Sequence, residues 1–279
     1  MEQNAAATAF ATLGHPDRLA VFRLLMRFAP RGVRPTEIAA ALGIKANTLS
    51  HHLADLAGAG LVLVARQGRS LYYRVDLPVT EALIGYLALD VGRARPDLMT
   101  ALRGSATEVP PMANKSFNVL FICSGNSARS LFAEALLRDL GGAKFQAFSA
   151  GTRPGSTPNP FALDVLARNG HDISGLRSKH LSEFQRPGAP AMDFVFTVCD
   201  TAAAEECPPW PGQPISGHWG LPDPVQATGT EAERALVFAE TYGALRRRIA
   251  AFAALPFARL DRAALQSRVD AIGTLPEKD

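Results

Sequence analysis

The chain has 279 residues, of which 47% are hydrophobic and 20% charged, and its formal net charge is +3. This length suits about two domains of ordinary size, and no apolar run approaches the roughly 18 residues of a membrane span. The first residues do not resemble a signal peptide and the chain holds 3 cysteines, so we expect a cytoplasmic protein with free thiols rather than structural disulfides. Of the 29 basic and 26 acidic side chains, 12 and 9 lie in residues 1–112, so the positive excess belongs to the first part of the chain.

Two short helices followed by a hairpin are predicted in this first part. Residues 34–43 form an amphipathic helix that ends at a glycine turn, and a second helix begins near Asn47 with leucines at i, i+4 and i+7 on its buried stripe. Residues 61–75 then alternate as a hairpin that turns at Gly68. This order predicts a winged helix-turn-helix domain, in which the second helix can enter a major groove and the hairpin tip can reach phosphates.

The outer face of the second helix and the hairpin tip supply the candidate DNA contacts. Short polar side chains on the helix suit base edges, and arginines on the tip suit backbone phosphates. The alternative, a winged helix used for protein contact alone, stays open. The predicted DNA contacts are Lys45, Asn47, Thr48, Ser50, His51, His52, Arg66 and Arg69.

A metal site at the adjacent histidines His51 and His52 is not expected. Neighbouring residues on a helix point about 100° apart, so their side chains cannot converge on one ion. We therefore predict no metal bound by this pair.

Three motifs in this part of the chain resemble the ArsR-type winged helix-turn-helix repressors. They are Leu13-Gly-His-Pro-Asp-Arg-Leu19, Ser50-His-His-Leu53 and Gly68-Arg-x-x-Tyr-Tyr-Arg74. The resemblance implies DNA-binding homodimers that pair through their first and last helices, here about residues 4–12 and 78–92. The last helix lacks the Asp/His pairs of the family's zinc sensors, and residues 1–112 contain no cysteine that could bind arsenite.

A segment rich in proline and small polar residues separates this module from the next. We place the first domain at residues 1–95 and the linker at residues 96–115. The second domain then covers residues 116–256. Residues 257–279 form a C-terminal helical extension whose role the sequence leaves open.

A Cys-x5-Arg loop follows a buried strand in the second half of the chain. The apolar residues 117–122 fit a central parallel strand, and leucines at helical spacing beyond Ser130 predict a helix. The residues between Cys123 and Arg129 can aim backbone N–H groups at an oxyanion, which the helix N-terminus and the guanidinium also attract. The same positive field predicts a lowered pKa for the Cys123 thiol, to which the Ser130 hydroxyl can donate. With Cys123 as nucleophile, the predicted oxyanion-binding residues are Ser124, Gly125, Asn126, Ser127, Ala128 and Arg129.

Residues 123–130, Cys-Ser-Gly-Asn-Ser-Ala-Arg-Ser, resemble the nucleophile loop of the low-molecular-weight protein tyrosine phosphatase family, and in particular its arsenate reductase branch. The resemblance covers about residues 117–255 and continues in Phe148-Ser-Ala-Gly-Thr152 and His218-Trp-Gly-Leu-Pro-Asp-Pro224. It implies an α/β domain with a central parallel sheet. It also makes Asp223 the general acid or the group that governs proton transfer at the oxyanion.

Two features favour a reductase over a phosphatase. Tyrosine phosphatases of the family carry an aromatic residue after the Asp-Pro pair, whereas Val225 stands there in this chain. Cys199 and Cys207 follow another apolar strand, and reduction of As(V) by two electrons needs a second thiol. By resemblance, Cys123 attacks arsenate, Cys199 forms a disulfide with Cys123, and a Cys199–Cys207 disulfide is then presented to an external thiol reductant.

The spacing from Cys199 to Cys207 is one residue longer than in the thioredoxin-coupled members of the family. The relay order and the reductant, thioredoxin or glutaredoxin with glutathione, therefore stay open. We expect a repressor fused to an arsenate reductase, serving arsenic resistance. The alternatives are a phosphatase-like hydrolase fused to a DNA-binding domain, and a pure regulator that responds to arsenic or redox state.

A bound cation beside the loop is not expected. Some arsenate reductases of the family hold potassium there, and Asn126, Glu134 and Ser149 match three of the four ligand positions. The fourth position falls near Lys179, whose ammonium group can replace the ion. We predict no bound metal or cofactor.

Overall fold

The computed structural model describes residues 1–95, 116–155, 157–205, 210 and 212–276. The chain divides into two compact units, Met1–Pro110 and Pro111–Asp279. The predicted linker, residues 96–115, lies outside the described residues. Within the described residues, no helix is both long enough and apolar enough to cross a membrane.

The first unit consists of helices and a two-stranded hairpin. Its helices are α1 (Gln3–Leu13), α2 (Pro16–Phe28), α3 (Pro35–Leu42), α4 (Ala46–Gly58) and α5 (Leu77–Gly85), and its strands are β1 (Val62–Gln67) and β2 (Ser70–Val75). A π-helical segment, Tyr86–Val91, continues α5. This order of elements confirms the predicted winged helix-turn-helix fold.

Two glycines shape the turns of this unit. α3 ends at Gly43, whose φ of +65° is a left-handed value that favours glycine. Gly68 has a φ of +61° and lies in the tight turn between Gln67 and Ser70, which face each other in the antiparallel register. The hairpin therefore turns where the sequence predicts.

The core of the first unit lies where α2, α3 and α4 meet. The leucines predicted on the buried stripe of α4 (Leu49, Leu53 and Leu56) are fully buried, as are Leu25 of α2 and Ile38 of α3. Each such side chain stabilises the fold by roughly 2 kcal/mol through removal of apolar surface from water. Because this stripe fixes the rotation of α4, the opposite polar face of the helix stays exposed.

The second unit is built on a parallel four-stranded sheet. The strands are β3 (Phe117–Cys123), β4 (Phe145–Gly151), β5 (Phe194–Thr197) and β6 (Ile215–His218), in the order β4-β3-β5-β6. The helices are α6 (Arg129–Gly141), α7 (Pro160–Arg168), α8 (Asp200–Ala204), α9 (Glu231–Ala253) and α10 (Arg262–Gly273). β3 and β5 are neighbours, so Cys123 and the residues after Thr197 share the carboxyl edge of the sheet, where open α/β folds bind ligands.

The C-terminal extension contributes to the core of the second unit. Val269 of α10 is fully buried, and its carbonyl accepts a hydrogen bond of 3.0 Å from Nε1 of Trp219. Gly217 of β6 lies so close that a Cβ atom there would stand 2.6 Å from Cγ1 of Val269. The predicted C-terminal extension therefore packs directly, through α10, on the edge strand of the sheet.

Candidate active site

The Cys123 loop is held by the segment that follows β4. Gly151 pairs with Cys123 in the parallel register, and a Cβ atom on Gly151 would stand 2.6 Å from the carbonyl oxygen of Ser124. Only glycine permits this approach without displacing the loop. Asn126 has a φ of +44°, a left-handed value that asparagine adopts more readily than most residues.

The carbonyl groups of the Cys123 loop accept hydrogen bonds from segments outside the loop. Five of them accept hydrogen bonds of 2.9 to 3.1 Å from the neighbouring segments. Because these carbonyls are turned outward, the successive N–H groups of the loop can face an anion, as the Cys-x5-Arg spacing predicts. The donors are the N–H groups of Thr152, Arg153, Gly155 and Asn159 and the hydroxyl of Ser178, which bond to Cys123, Ser124, Gly125, Ser127 and Asn126 respectively.

Cys123 lies at the centre of this loop and is buried. Its Sγ is 2.9 Å from Oγ of Ser130 and accepts the N–H of Asn126 at 3.1 Å. The predicted contact with Ser130 is therefore present.

The pKa of the Cys123 thiol is raised, contrary to the sequence-based expectation of a lowered value. Burial is the main cause, because it disfavours the thiolate, and the neighbouring Cys199 adds to the increase in pKa. Ser130, Arg129 and the N–H of Asn126 act in the opposite direction. The sequence reveals these stabilising groups but not the depth at which the sulfur is buried.

Asn126 links the loop to the core beneath it. Its Nδ2 donates to Oγ of Ser130 at 2.8 Å and to Oγ of Ser149 at 2.9 Å, while its Oδ1 accepts the N–H of Lys179 at 2.6 Å. One asparagine therefore fixes three separate segments relative to the nucleophile.

A buried ion pair extends this network. Nζ of Lys179 lies 2.8 Å from Oε2 of Glu134, which also accepts the hydroxyl of Ser149 at 2.5 Å. Asn126, Glu134, Ser149 and Lys179, the four positions singled out in the sequence, thus lie together beside the loop. The ammonium group stands against the glutamate that a cation would otherwise bind.

Arg129 and Asp223 meet at the mouth of the loop. The Arg129 guanidinium donates to the carbonyl of Leu221 at 2.8 Å, and its Nη2 lies 3.1 Å from Oδ1 of Asp223. Asp223 also accepts the N–H of Val225 and so begins a 3-10 turn. Val225 is exposed where phosphatases of the family carry an aromatic side chain.

Cys199 lies beside the same loop at the end of the neighbouring strand. It is buried, caps the start of α8 through the N–H of Ala202, and lies with its Sγ 3.6 Å from Oγ of Ser124. Cys123 and Cys199 are both free thiols. Cys207 lies outside the described residues.

Three interactions around α8 were not predicted from the sequence. Nε2 of His218 lies 2.8 Å from Oδ1 of Asp200, and its Nδ1 lies 2.8 Å from Oγ1 of Thr197. Glu205, at the other end of α8, forms an ion pair with Arg153. The only sequence signal was proximity, because Asp200 follows Cys199 directly and His218 opens the motif that ends at Asp223.

The candidate DNA-binding residues divide into an exposed group and one exception. Lys45 lies exposed at the N-cap position of α4, and Arg66 and Arg69 lie exposed at the hairpin tip. His52 differs from the prediction, since it is only 8% exposed and lies on the side of α4 that faces α2. It follows Leu49 by three positions, which places it on the buried stripe rather than on the outer face. The predicted contacts that α4 leaves exposed are Asn47, Thr48, Ser50 and His51.

Comparisons with known proteins agree with this division into two units. A model of the low molecular weight phosphotyrosine protein phosphatases matches residues 118–266, and a helix-turn-helix domain model matches residues 13–65. The arsenate reductase of Shouchella clausii is 34% identical over 137 residues, which cover 48% of this chain and 94% of that protein. The arsenate reductase of Bacillus subtilis is 33% identical over 135 residues, with the same coverage of 48% and 94%.

Among solved structures, an arsenate reductase in the phosphate-binding state is 28% identical with a TM-score of 0.39, and covers 50% of this chain and 97% of its own. The phosphatase model spans 149 of the 279 residues and includes the Cys123 loop. The chain belongs to the low molecular weight phosphotyrosine protein phosphatase family, and in it a helix-turn-helix domain precedes the domain that resembles arsenate reductases.

Proposed function

We propose that the second unit reduces arsenate to arsenite with electrons from its cysteine thiols. The observation that carries the proposal is the pair of buried thiols at one oxyanion-binding loop, with Sγ of Cys199 3.6 Å from Oγ of the residue that follows Cys123. A hydrolase needs one nucleophile at this position. Reduction of As(V) to As(III) takes two electrons, which two thiols supply when they form a disulfide. Cys199 at the same edge of the sheet provides the second thiol.

The first chemical step joins sulfur to arsenic. The Cys123 sulfur attacks arsenate held by the loop N–H groups and by the bidentate guanidinium of Arg129. Because burial raises the pKa of Cys123, its proton passes to an arsenate oxygen, which leaves as water. Asp223 lies 3.1 Å from Arg129 at the mouth of the loop, where it can relay that proton.

The second step reduces arsenic. The Cys199 sulfur attacks the Cys123 sulfur, so a sulfur–sulfur bond forms and the sulfur–arsenic bond breaks with its electron pair left on arsenic. Arsenite leaves as As(III), and the two thiols have been oxidised to a disulfide. The Cys207 sulfur then attacks Cys199, which breaks the Cys123–Cys199 bond, releases the Cys123 thiol and forms a Cys199–Cys207 disulfide. An external dithiol of the thioredoxin or glutaredoxin type reduces this disulfide to two thiols and is itself oxidised. These steps need thiols kept reduced, as they are in the cytoplasm.

A phosphatase is the second candidate, since the same loop binds any tetrahedral oxyanion. Phosphorus offers no comparable two-electron step, so hydrolysis does not use Cys199. The absence of an aromatic side chain at Val225 argues against phosphotyrosine as the substrate.

The deciding experiment compares arsenate-dependent oxidation of thioredoxin or glutaredoxin with hydrolysis of p-nitrophenyl phosphate. Cys123→Ser should abolish both activities. Cys199→Ser should stop arsenate turnover while hydrolysis continues, because only reduction needs the resolving thiol. Equal loss of both activities in Cys199→Ser would contradict the division of roles, and hydrolysis without arsenate reduction in the wild type would favour the phosphatase.

The first unit is proposed to bind operator DNA as a homodimer. The exposed polar face of α4 and the two arginines of the hairpin tip support this proposal. Selection of binding sites from random DNA, with α4 variants as controls, would test it. A chain that binds no DNA above the non-specific level would show that the fold is used for protein contact instead.

A further inference from the structure

Three metal-binding side chains converge inside the first unit. His15 caps the start of α2, Asp17 lies in the first turn of that helix, and His52 lies in the middle of α4. One ligand atom from each residue lies within 4.8 Å of the other two. None of the three takes part in the chemistry proposed for the second unit.

His52 supplies the independent sign that a ligand belongs here. The residue is more than nine-tenths buried, and its Nε2 has no hydrogen-bond partner in the described part of the chain. The nearest acidic oxygen is Oδ2 of Asp17, at 3.5 Å, and the His15 ring lies with its centroid 4.9 Å from that of His52. A buried ring nitrogen without a partner is rare in folded proteins, because it loses its hydrogen bonds to water and gains nothing in return.

The cationic side chain next to Asp17 in the sequence, Arg18, is not the missing partner of His52. Arg18 follows Asp17, but its Nη1 donates to Asp55 at 2.9 Å and its Nε donates to the carbonyl of Thr12 at 2.6 Å. Its guanidinium is therefore bonded to acceptors outside the cluster of His15, Asp17 and His52.

We propose that His15, Asp17 and His52 form a site for a divalent transition-metal ion of the zinc class. Two imidazoles and one carboxylate are ligands that zinc accepts, and three protein ligands leave a fourth position for water. A tetrahedral ion with bonds of about 2.0 to 2.1 Å holds its ligand atoms about 3.3 Å apart, so the three side chains close by an ångström or so.

The geometry also explains why the adjacent histidine is not involved. His51 is exposed on the outer face of α4, about 100° around the helix from His52. The partners of His52 are His15 and Asp17 at the start of α2, so the rule against ligation by adjacent residues does not apply. The proposal departs in this respect from the sequence-based prediction of no bound metal. A bound ion would join the start of α2 to the helix that carries the candidate base contacts.

The test is titration of the tag-free full-length protein with Co²⁺. Cys123, Cys199 and Cys207 are first replaced by serine, so that no thiolate competes for the ion. We expect saturation at one ion per chain, with visible d–d bands and without the near-ultraviolet band of a cobalt–thiolate bond. Asp17→Asn and His52→Gln should each weaken binding by at least about tenfold, since even outer-shell partners of a ligand contribute that much.

His51→Gln is the matched control, because it removes a histidine from the same helix without touching the site. It should leave the affinity for Co²⁺ unchanged. Zn²⁺ should raise the unfolding temperature of the parent protein but not that of Asp17→Asn. Because Asp17 is exposed, its replacement by asparagine should not itself disturb the fold. Absence of saturable binding, unchanged affinity in Asp17→Asn, or equal weakening in His51→Gln would overturn the proposal.

Discussion

At the scale of single residues, the reactivity of Cys123 depends on the balance between burial and its polar contacts. Burial and the neighbouring Cys199 raise its pKa, while Ser130, Arg129 and the N–H of Asn126 favour the thiolate. The raised pKa favours the protonated thiol in the resting protein. In the proposed mechanism, arsenate binding places the oxyanion at the Arg129 guanidinium and supplies an oxygen that accepts the thiol proton.

This balance predicts how alkylation of Cys123 depends on pH. Because the pKa is raised above the ordinary thiol value of 9.0, the thiolate fraction should be small at neutral pH and should still be increasing above pH 9. Cys199→Ser should move the midpoint downward, since it removes the second contribution to the increase in pKa. Peptide mass spectrometry after iodoacetamide pulses measures the rate at Cys123 alone. A midpoint near neutrality in the wild type would show that the cations outweigh burial.

Arg129 should not tolerate lysine. Its guanidinium already holds two partners, the carbonyl of Leu221 and the carboxylate of Asp223, in fixed directions. A lysine ammonium keeps the charge but cannot grip two oxygens of an anion at once. We expect Arg129→Lys to lower kcat/KM for arsenate by about a hundredfold or more, the usual loss when one oxyanion contact is removed. Steady-state kinetics within a few fold of wild type would contradict the role of Arg129 in anion binding.

At the scale of elements, the buried pair of Lys179 and Glu134 joins α6 to the residue whose backbone N–H bonds to Asn126 of the loop. The two side chains are 9% and 5% exposed, so neither charge can be compensated by water if its partner is lost. Lys179→Met should therefore lower the free energy of unfolding of the second unit by about 3 to 5 kcal/mol. Both tryptophans of the chain, Trp210 and Trp219, lie in this unit, so their fluorescence in a urea titration reports on it alone.

The double variant Lys179→Met with Glu134→Gln provides the control for that prediction. Removing both charges should recover much of the stability lost in the single variant, because no unpaired charge remains buried. Arsenate turnover by the wild type should also be the same in sodium and potassium salts, since the lysine ammonium stands where a cation would bind Glu134. Stimulation of the wild type by potassium would contradict this.

The hairpin and α4 should contribute to DNA binding in different ways. If a dimer neutralises on the order of six phosphates, log K should fall against log[salt] with a slope of about −5. Arg66→Ala or Arg69→Ala should flatten that slope without changing the preferred site, whereas His51→Ala should relax the preference and leave the slope intact. Fluorescence anisotropy at several salt concentrations measures both quantities. Lys144→Ala, an exposed charge of the second unit, is the control, and binding that is indifferent to salt would refute this mode of docking.

The elements that the sequence predicts well are those whose signal is local. The apolar run before Cys123 and the leucine stripe of α4 each fix one element, and the Cys-x5-Arg spacing fixes the loop between β3 and α6. What depends on packing was missed. His52 was predicted as a DNA contact at the margin of the outer face of α4 and is buried, because its surroundings are set by α2, a separate helix.

The raised pKa of Cys123 and the contacts of α8 were missed for the same reason, because both depend on how distant segments pack together. The spacing of Cys123, Arg129 and Ser130 shows which polar groups surround the sulfur, but not how deeply the sulfur is buried. The contact of His218 with Asp200 arises because β5 and β6 are neighbours in the sheet, an order that no local pattern in the chain encodes.

At the scale of the whole molecule, the cysteines and the candidate DNA contacts lie in different units. Residues 1–112 contain no cysteine, and all 3 cysteines of the chain lie in the second unit. As(III) is a soft ion that binds thiolates, so an effect of arsenite on DNA binding has to begin at Cys123, Cys199 or Cys207. The alternative is that the fusion only ensures equal amounts of two units that serve one pathway. In that case arsenite at the second unit has no effect on DNA binding by the first.

The coupling hypothesis predicts that arsenite releases the full-length protein from its operator and that this release depends on the thiols. The experiment is a DNA-binding titration with arsenite on the wild type and on the variant in which Cys123, Cys199 and Cys207 are all serine. Both proteins should bind DNA equally well without arsenite, since the changes lie outside the unit that carries the candidate DNA contacts. Under the coupling hypothesis only the wild type weakens, by a factor of about 5 to 150, which is the usual range of coupling between two sites. Equal release of both proteins would place the sensor outside the cysteines, and unchanged binding of the wild type would establish the uncoupled fusion.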